Sequence, residues 1–190
     1  MSSPQVMTVC YPLREFPSSG SFTTDKRAYF EIALGRKADT RGARELSMVG
    51  KWNGAGGKVR DQVDLSCEHC SQRETSQEFG IIPVLDHMKR AGTILFIDEG
   101  SRSIVHFYFA HLWTGRLLER SPEFEEIRWF DMRQLPLREM PDTDRRFCLP
   151  LVLHGALVRG QVLSMTVHRD SEMRVVKNSP IIFTKITAAA

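Results

Sequence analysis

The apolar pattern of this chain predicts an α/β or α+β domain, and three observations carry the prediction. Short β-rich runs recur along its length, the clearest being Ile104 to Leu112, IVHFYFAHL, where β-branched and aromatic residues follow one another almost without a break. A polar stretch from Gly50 to Ile81 carries clustered glycines at its head, Ser66 as an N-cap and Gly80 as a C′ residue, which predicts a helix over about Cys67 to Phe79. Beyond Asp142 or Asp144, either of which can cap a helix, Phe147, Leu149, Leu151, Val152, Leu153 and Leu157 mark a second apolar face. Strands with a helix after the glycine turn and another near the C-terminus build an α/β/α sandwich around a mixed sheet.

In chain order, Val6 to Leu13 is expected as the first strand and Phe16 to Lys26 as a Ser/Thr/Gly-rich loop. Ala28 to Leu34 is the second strand and the hairpin partner of the first. From Gly35 to Met48 the chain is basic and polar; it is read as a solvated insertion, or as a flexible rim offering Arg36, Lys37, Arg41 or Arg44 to phosphate oxygens. Lys51 to Lys58, KWNGAGGK, is read as a turn in which glycines let the backbone come close to a ligand or ion. Pro83 opens a new segment, Thr93 to Ile97 is a short strand, and Asp98 to Ser103 is a turn. The run from Ile104 to Leu112 reads as a central strand buried on both faces, with His106 and His111 as core or edge histidines. Glu126 to Phe130 and Gln161 to Val167 are further strands, Pro150 is tolerated only in a helix first turn or at a bend, and the segment 168–190 is a loose extension ordered at Ile181 to Phe183.

At 190 residues with 42% hydrophobic content the chain suits one domain with a full core. Its 26 basic and 23 acidic residues are well mixed, so the net charge of +3 is compatible with a phosphate-bearing small molecule and gives no dense basic patch for coating nucleic acid. Cys10, Cys67, Cys70 and Cys148 are too scattered for a disulfide framework, and Cys67-x-x-Cys70 has no second Cys or His pair at zinc-finger spacing, so reduced thiols are expected. No signal-like segment and no run of about 20 apolar residues is found, which leads to the expectation of a soluble, cytoplasmic monomer or homodimer without membrane contact.

The chemistry concentrates in the predicted helix. At about 3.6 residues per turn, Glu74, Gln77 and Glu78 share one face, with the two carboxylates one turn apart. Carboxylates aimed at one point repel unless a cation lies between them, and a hard divalent ion with oxygen ligands, waters and substrate phosphates is the usual answer. The run Gly57 … Arg73-Glu74-Thr75-x-Gln77-Glu78-x-Gly80-Ile81 resembles the Nudix box, G-x5-E-x7-R-E-U-x-E-E-x-G-U with U a bulky aliphatic residue. Three departures stand out: two additional residues between Gly57 and Arg73, which leave Asp64 as the nearest acidic counterpart of the early Glu; Gln77 for the first Glu of the pair; and Thr75 for an aliphatic residue.

The resemblance extends over about residues 6 to 167, which makes one Nudix domain of the whole chain, 1–190, with a variable extension over 168–190. It implies the α/β/α sandwich and Mg²⁺, or Mn²⁺, held by Glu74, Glu78 and the Gly56 carbonyl, with Gln77 beside them. It also implies Arg73 as the residue orienting a carboxylate, Lys58 on phosphate, and Glu123 as the opposing carboxylate, with Glu125 and Glu126 as competitors. K-W-N-G-x-G-G-K-V at 51–59 and W-F-x-x-x-Q-L-P with M-P-D-x-D at 129–144 are similar to the branch that hydrolyses oxidised purine nucleoside triphosphates. On that likeness Asn53, Asp142 and Asp144 read the base, with Thr8 and Phe96 also in the substrate site. Met140 is followed directly by Pro141, without the intervening Trp of that branch, so the aromatic surface for the base is expected from Phe147, Trp113 or Phe96. The implied reaction releases a nucleoside monophosphate and pyrophosphate from a small nucleotide, without a stable nucleic-acid complex. A different diphosphate-linked substrate and a weakly catalytic nucleotide-binding module are the alternatives.

Overall fold

The computed structural model describes residues 3–15, 30–145, 161–180 and 182–185. In chain order the elements are β1 (Gln5–Glu15), β2 (Phe30–Lys37), α1 (Arg41–Glu45), β3 (Trp52–Asn53), β4 (Ala55–Lys58), α2 (Cys67–Phe79), β5 (Ile81–Pro83), β6 (Met88–Asp98), β7 (Ser101–Ala110), β8 (Trp113–Gly115), β9 (Phe124–Asp131), β10 (Gln161–Arg169), β11 (Val175–Asn178) and β12 (Ile182–Lys185).

A mixed sheet runs β11-β10-β6-β7-β1-β2-β3, and β7 is central in it, as its apolar run requires. Residues 5–12 of β1 lie parallel to residues 103–110 of β7. The opposite edge of β1 is shared: Met7 to Cys10 pair antiparallel with β4, and Leu13 to Glu15 with β2. The hairpin expected between the first two strands is therefore present. β10 lies parallel to β6, β9 pairs with β2, and β5 with β8 forms a separate ribbon.

Strand alternation sorts the side chains of β1 and its neighbours. Cys10 and Tyr108 are packed with Cys67 of α2 on one face. Tyr11, Phe107, Ile94, Phe96, Met165 and Val167 build the main core on the other. α2 is capped as its sequence predicts: the Ser66 hydroxyl accepts the His69 N–H at 3.3 Å, and Gly80 ends the helix at φ 72°. Its buried stripe is mostly polar, so Phe79 anchors it by meeting Phe124 edge-on at 5.2 Å. Thr75, at the aliphatic position of the box, is fully buried with its hydroxyl donated to the Ser71 carbonyl at 2.6 Å.

Several expectations are corrected. The 35–48 segment is not a loop throughout, because Gly35 to Lys37 complete β2 and Arg41–Glu45 form α1 under a Thr40 cap. The glycine-rich stretch is not a simple turn: Trp52–Asn53 and Ala55–Lys58 are strands, and glycine is needed there because a Cβ on Gly56 would lie 2.1 Å from the Thr8 carbonyl oxygen. Asp98 to Ser103 narrows to a two-residue turn between long strands. Beyond residue 167, β11 and β12 both fold back antiparallel onto β10, so the described part of the extension belongs to the sheet. Asp142 is already helical, since Pro141 contributes the carbonyl that accepts the Arg145 N–H at 2.9 Å; the rest of that predicted helix, with Phe147, Cys148 and Pro150, lies outside the described residues, as does the 16–26 loop. Cys10, Cys67 and Cys70 are free thiols, and burial pushes Cys10 and Cys70 up to about 11. No helix of the described residues is long and apolar enough to cross a membrane.

Candidate active site

α2 presents Glu74 and Glu78 to β4, where Gly56 and Gly57 leave the backbone bare of side chains. Both carboxylates are buried, at 8% and 6% exposure. Glu78 accepts the Gly56 N–H at 2.7 Å through Oε2 and faces the Lys37 ammonium at 3.3 Å through Oε1. Burial pushes its carboxyl up to about 7, with the Glu74 charge adding to the rise and Lys37 and the Gly56 N–H opposing it. Gly57 is the cradle for Glu74, because a Cβ there would lie 2.5 Å from Glu74 Oε1.

Arg73 is not among the residues lining this cavity, and its guanidinium holds neighbouring carboxylates. Its guanidinium donates two bonds to Asp64, at 2.8 and 2.9 Å, and one to Glu74 Oε1 at 2.6 Å. Those bonds hold the Asp64 carboxyl down at about 2, and the two carboxylates hold Arg73 cationic. Asp64, the nearest acidic residue to the early position of the box, thus acts as an anchor for arginine.

Glu123 reaches the same cavity, with Oε2 at 3.9 Å from Lys37 Nζ, whereas Glu125 pairs with Arg36 and Glu126 with Arg128 on the exposed side of β9. Gln77 and Lys58 are exposed on the lip of the cavity, which is also lined by Thr8, Gly56, Gly57, Glu74 and Glu78. The Thr8 hydroxyl, expected in the substrate site, faces α2 and donates to Cys70 Sγ at 3.4 Å. Lys37 was legible only as one of four basic residues; continuing the strand alternation through Gly35 would have placed it beside Phe124, whose ring lies 4.0 Å from its ammonium.

A second cavity, of about 400 Å³, lies on the face of the sheet opposite α2. Met7 and Val9 of β1, Val105 and Phe107 of β7, Phe96, Asp98 and Arg169 line it, with Asn53, Thr143 and Asp144 at one end. Asn53 Oδ1 accepts its own chain's Gly54 N–H at 2.8 Å and lies 3.2 Å from the Tyr11 hydroxyl, which is also 3.5 Å from Asp144 Oδ2. Asp142 is not brought to this cavity: its carboxylate takes Arg145 at 2.6 Å and the Val175 N–H at 3.3 Å. Trp113 is also elsewhere, stacked on Trp129 at 5.6 Å. The two cavities share Gln5, Met7, Val9, Leu46, Met48 and Asn53, so they form one continuous groove.

The donor set at the carboxylate end fits a hard divalent cation. Two buried carboxylates one turn apart border a backbone that glycines keep open, and a cation there would relieve the penalty that raises Glu78. Among the described residues no three His, Cys, Asp or Glu side chains form a complete metal set.

The NUDIX domain model matches residues 24–149 of the chain. The chain is 34% identical over 113 residues to the oxidized purine nucleoside triphosphate hydrolase of Danio rerio, a match covering 57% of this chain and 64% of that relative's length. It is similar in structure to a MutT protein from Bacillus halodurans, with TM-score 0.67 at 22% identity over 92% of this chain and 96% of the other. It is likewise similar to a MutT protein from Methanosarcina mazei, with TM-score 0.55 at 19% identity over 80% and 95%. With the capped helix, its two buried carboxylates and the glycine strand beside them, the match over most of its length establishes that this chain belongs to the Nudix family.

Proposed function

We propose that this chain is a Nudix pyrophosphohydrolase that cleaves a nucleoside triphosphate to the monophosphate and pyrophosphate. An oxidised or otherwise modified purine, as in 8-oxo-dGTP or 2-hydroxy-dATP, is the base, and sanitation of the nucleotide pool is the role. The observation that carries the reading is the continuous groove, with carboxylates at one end and an apolar, Asn53-bearing cavity at the other. It suits a molecule with a charged tail and a flat, hydrogen-bonding head. The Danio rerio relative's name supports the choice of base.

Glu74 and Glu78, with the Gly56 carbonyl and Gln77, are the residues that would hold Mg²⁺ or Mn²⁺. Such an ion, when bound, neutralises diphosphate oxygens and makes water a better nucleophile. Arg73 keeps Glu74 in one orientation, and Asp64 keeps Arg73 in place. Lys37 and Lys58 carry positive charge to the phosphate end. Glu123, which also lines that cavity, would accept a proton from the attacking water. At the other end Asn53 offers an amide donor and acceptor to the purine edge, and Asp144 a carboxylate that accepts hydrogen bonds.

The test is a panel of oxidised and ordinary purine and pyrimidine triphosphates, dinucleotides, sugar nucleotides and capped RNA, incubated with Mg²⁺ and followed by product analysis. Pyrophosphate release from modified purines, abolished by Glu78→Gln, is the expected result. Turnover only of dinucleotides or sugar nucleotides would replace the substrate class, and nucleotide binding without turnover of any compound would make the chain a binding module.

A further inference from the structure

The cavity that would receive the base has no uncovered aromatic plate among its described walls. Phe107 is buried against Tyr11, its ring parallel to that ring at 6.5 Å. Phe96 carries the Arg169 guanidinium 4.1 Å above its ring centre. That guanidinium is fixed in its plane by Asp98, which accepts Nε–H at 2.8 Å and a terminal N–H at 2.7 Å. Arg169 and Asp98 are both mostly buried, with side chains 17% and 13% exposed, and both line the cavity. The arrangement follows from register. Phe96 is level with Val167, and the two-residue alternation of β10 puts Arg169, two residues further on, on the same face as that ring.

We infer that Arg169 is the stacking plate for the base, and so a determinant of purine specificity; the inference rests on the nucleotide reading above. A flat guanidinium has two faces and an edge for recognition. Here Asp98 takes the fork edge and Phe96 takes one face, which leaves the second face as the surface that can be offered to a ligand. Phosphate binding is the poorer reading: Asp98 already neutralises the charge, and Arg169 is absent from the walls of the cavity holding Glu74 and Glu78. Stacking on an arginine plane depends on the area and polarisability of the base, so it favours purines over pyrimidines whatever their hydrogen-bonding edge. Because Asp98 and Phe96 hold the plate in place beforehand, little ordering is left for binding to impose.

The test measures binding without turnover. Dissociation constants for purine and pyrimidine nucleoside monophosphates and for inorganic triphosphate are determined on the full chain, wild type and Arg169→Lys, with thermal melting as the folding check. Lysine keeps the charge and loses the plane. The expected result is purine affinity weaker by about tenfold, a collapsed purine-to-pyrimidine ratio, and unchanged triphosphate binding. Asp98→Asn, which loosens the fork at constant volume, shifts the ratio the same way by about threefold and carries the test if the lysine variant does not fold. Wild-type purine binding retained equally by both folded variants would overturn the stacking role and leave the proposed function standing. No binding of any nucleoside monophosphate by the wild type would overturn both.

Discussion

Gly57→Ala separates a glycine required by chemistry from one required by folding. The added methyl would lie 2.5 Å from Glu74 Oε1 and 2.6 Å from Cδ, against an ordinary contact of 3.4 to 4 Å. The carboxylate must retreat by roughly an ångström, and displacement on that scale near a reacting centre costs about 100-fold in rate. The backbone need not move, because only the tip of a side chain is in the way, so the fold should lose less than about 1 kcal/mol. Gly56→Ala is the control: its methyl meets the Thr8 carbonyl oxygen at 2.1 Å, and the β4–β1 ladder must part, at about 1–3 kcal/mol. For a domain of this size that is about 2–4 °C in Tm per kcal/mol. The assays are calorimetric Mn²⁺ titration, pyrophosphate release and thermal melting on both variants. Gly57→Ala with wild-type metal affinity and rate would refute the placement of Glu74 at the metal, and a Tm loss equal to that of Gly56→Ala would refute the separation.

Three other outcomes follow from the same geometry. The Asp64 carboxyl is depressed to about 2 in the folded chain by Arg73, so its stabilisation is present above the ordinary carboxylate range and is lost as pH falls from about 4 towards 2. The unfolding free energy from urea titration should drop by about 1–2 kcal/mol over that window in the wild type and stay flatter in Asp64→Asn, and parallel profiles would count against the ion pair. Gly80→Ala forces an alanine to φ 72° with its methyl 2.7 Å from the Arg116 carbonyl oxygen, and should cost about 1–3 kcal/mol in chemical denaturation, whereas a silent substitution would contradict the left-handed cap. Chelation should stop pyrophosphate release, Mg²⁺ or Mn²⁺ should restore it, and activity persisting in excess chelator would remove the ion from the proposal.

Local signals in the chain were strong enough to define α2, because a Ser66 cap, a Gly80 left-handed terminator and carboxylates four residues apart are all short-range geometry. The same locality made Arg73, Glu74 and Glu78 recognisable as one unit, and Glu123 could be proposed before its wall was seen. Short-range signals failed where partners are remote in sequence. Nothing near Gly50 to Lys58 says that its glycines lie in a strand against Thr8 to Cys10, and nothing near Thr8 says that alternation turns its hydroxyl towards α2. Asp142 and Asp144 look equivalent in M-P-D-T-D, yet once the turn is helical they point about 200° apart, and only Asp144 reaches the groove. Residues beyond 167 lack any long apolar pattern, because their strands sit at the sheet edge and gain their order from pairing with β10. The plate formed by Arg169, Asp98 and Phe96 is the extreme case: Arg169 is 71 residues from Asp98, and the three meet because β10 lies parallel to β6. Helix caps and ligand spacing are written within a few residues, whereas the face a side chain occupies is set by pairing between distant strands.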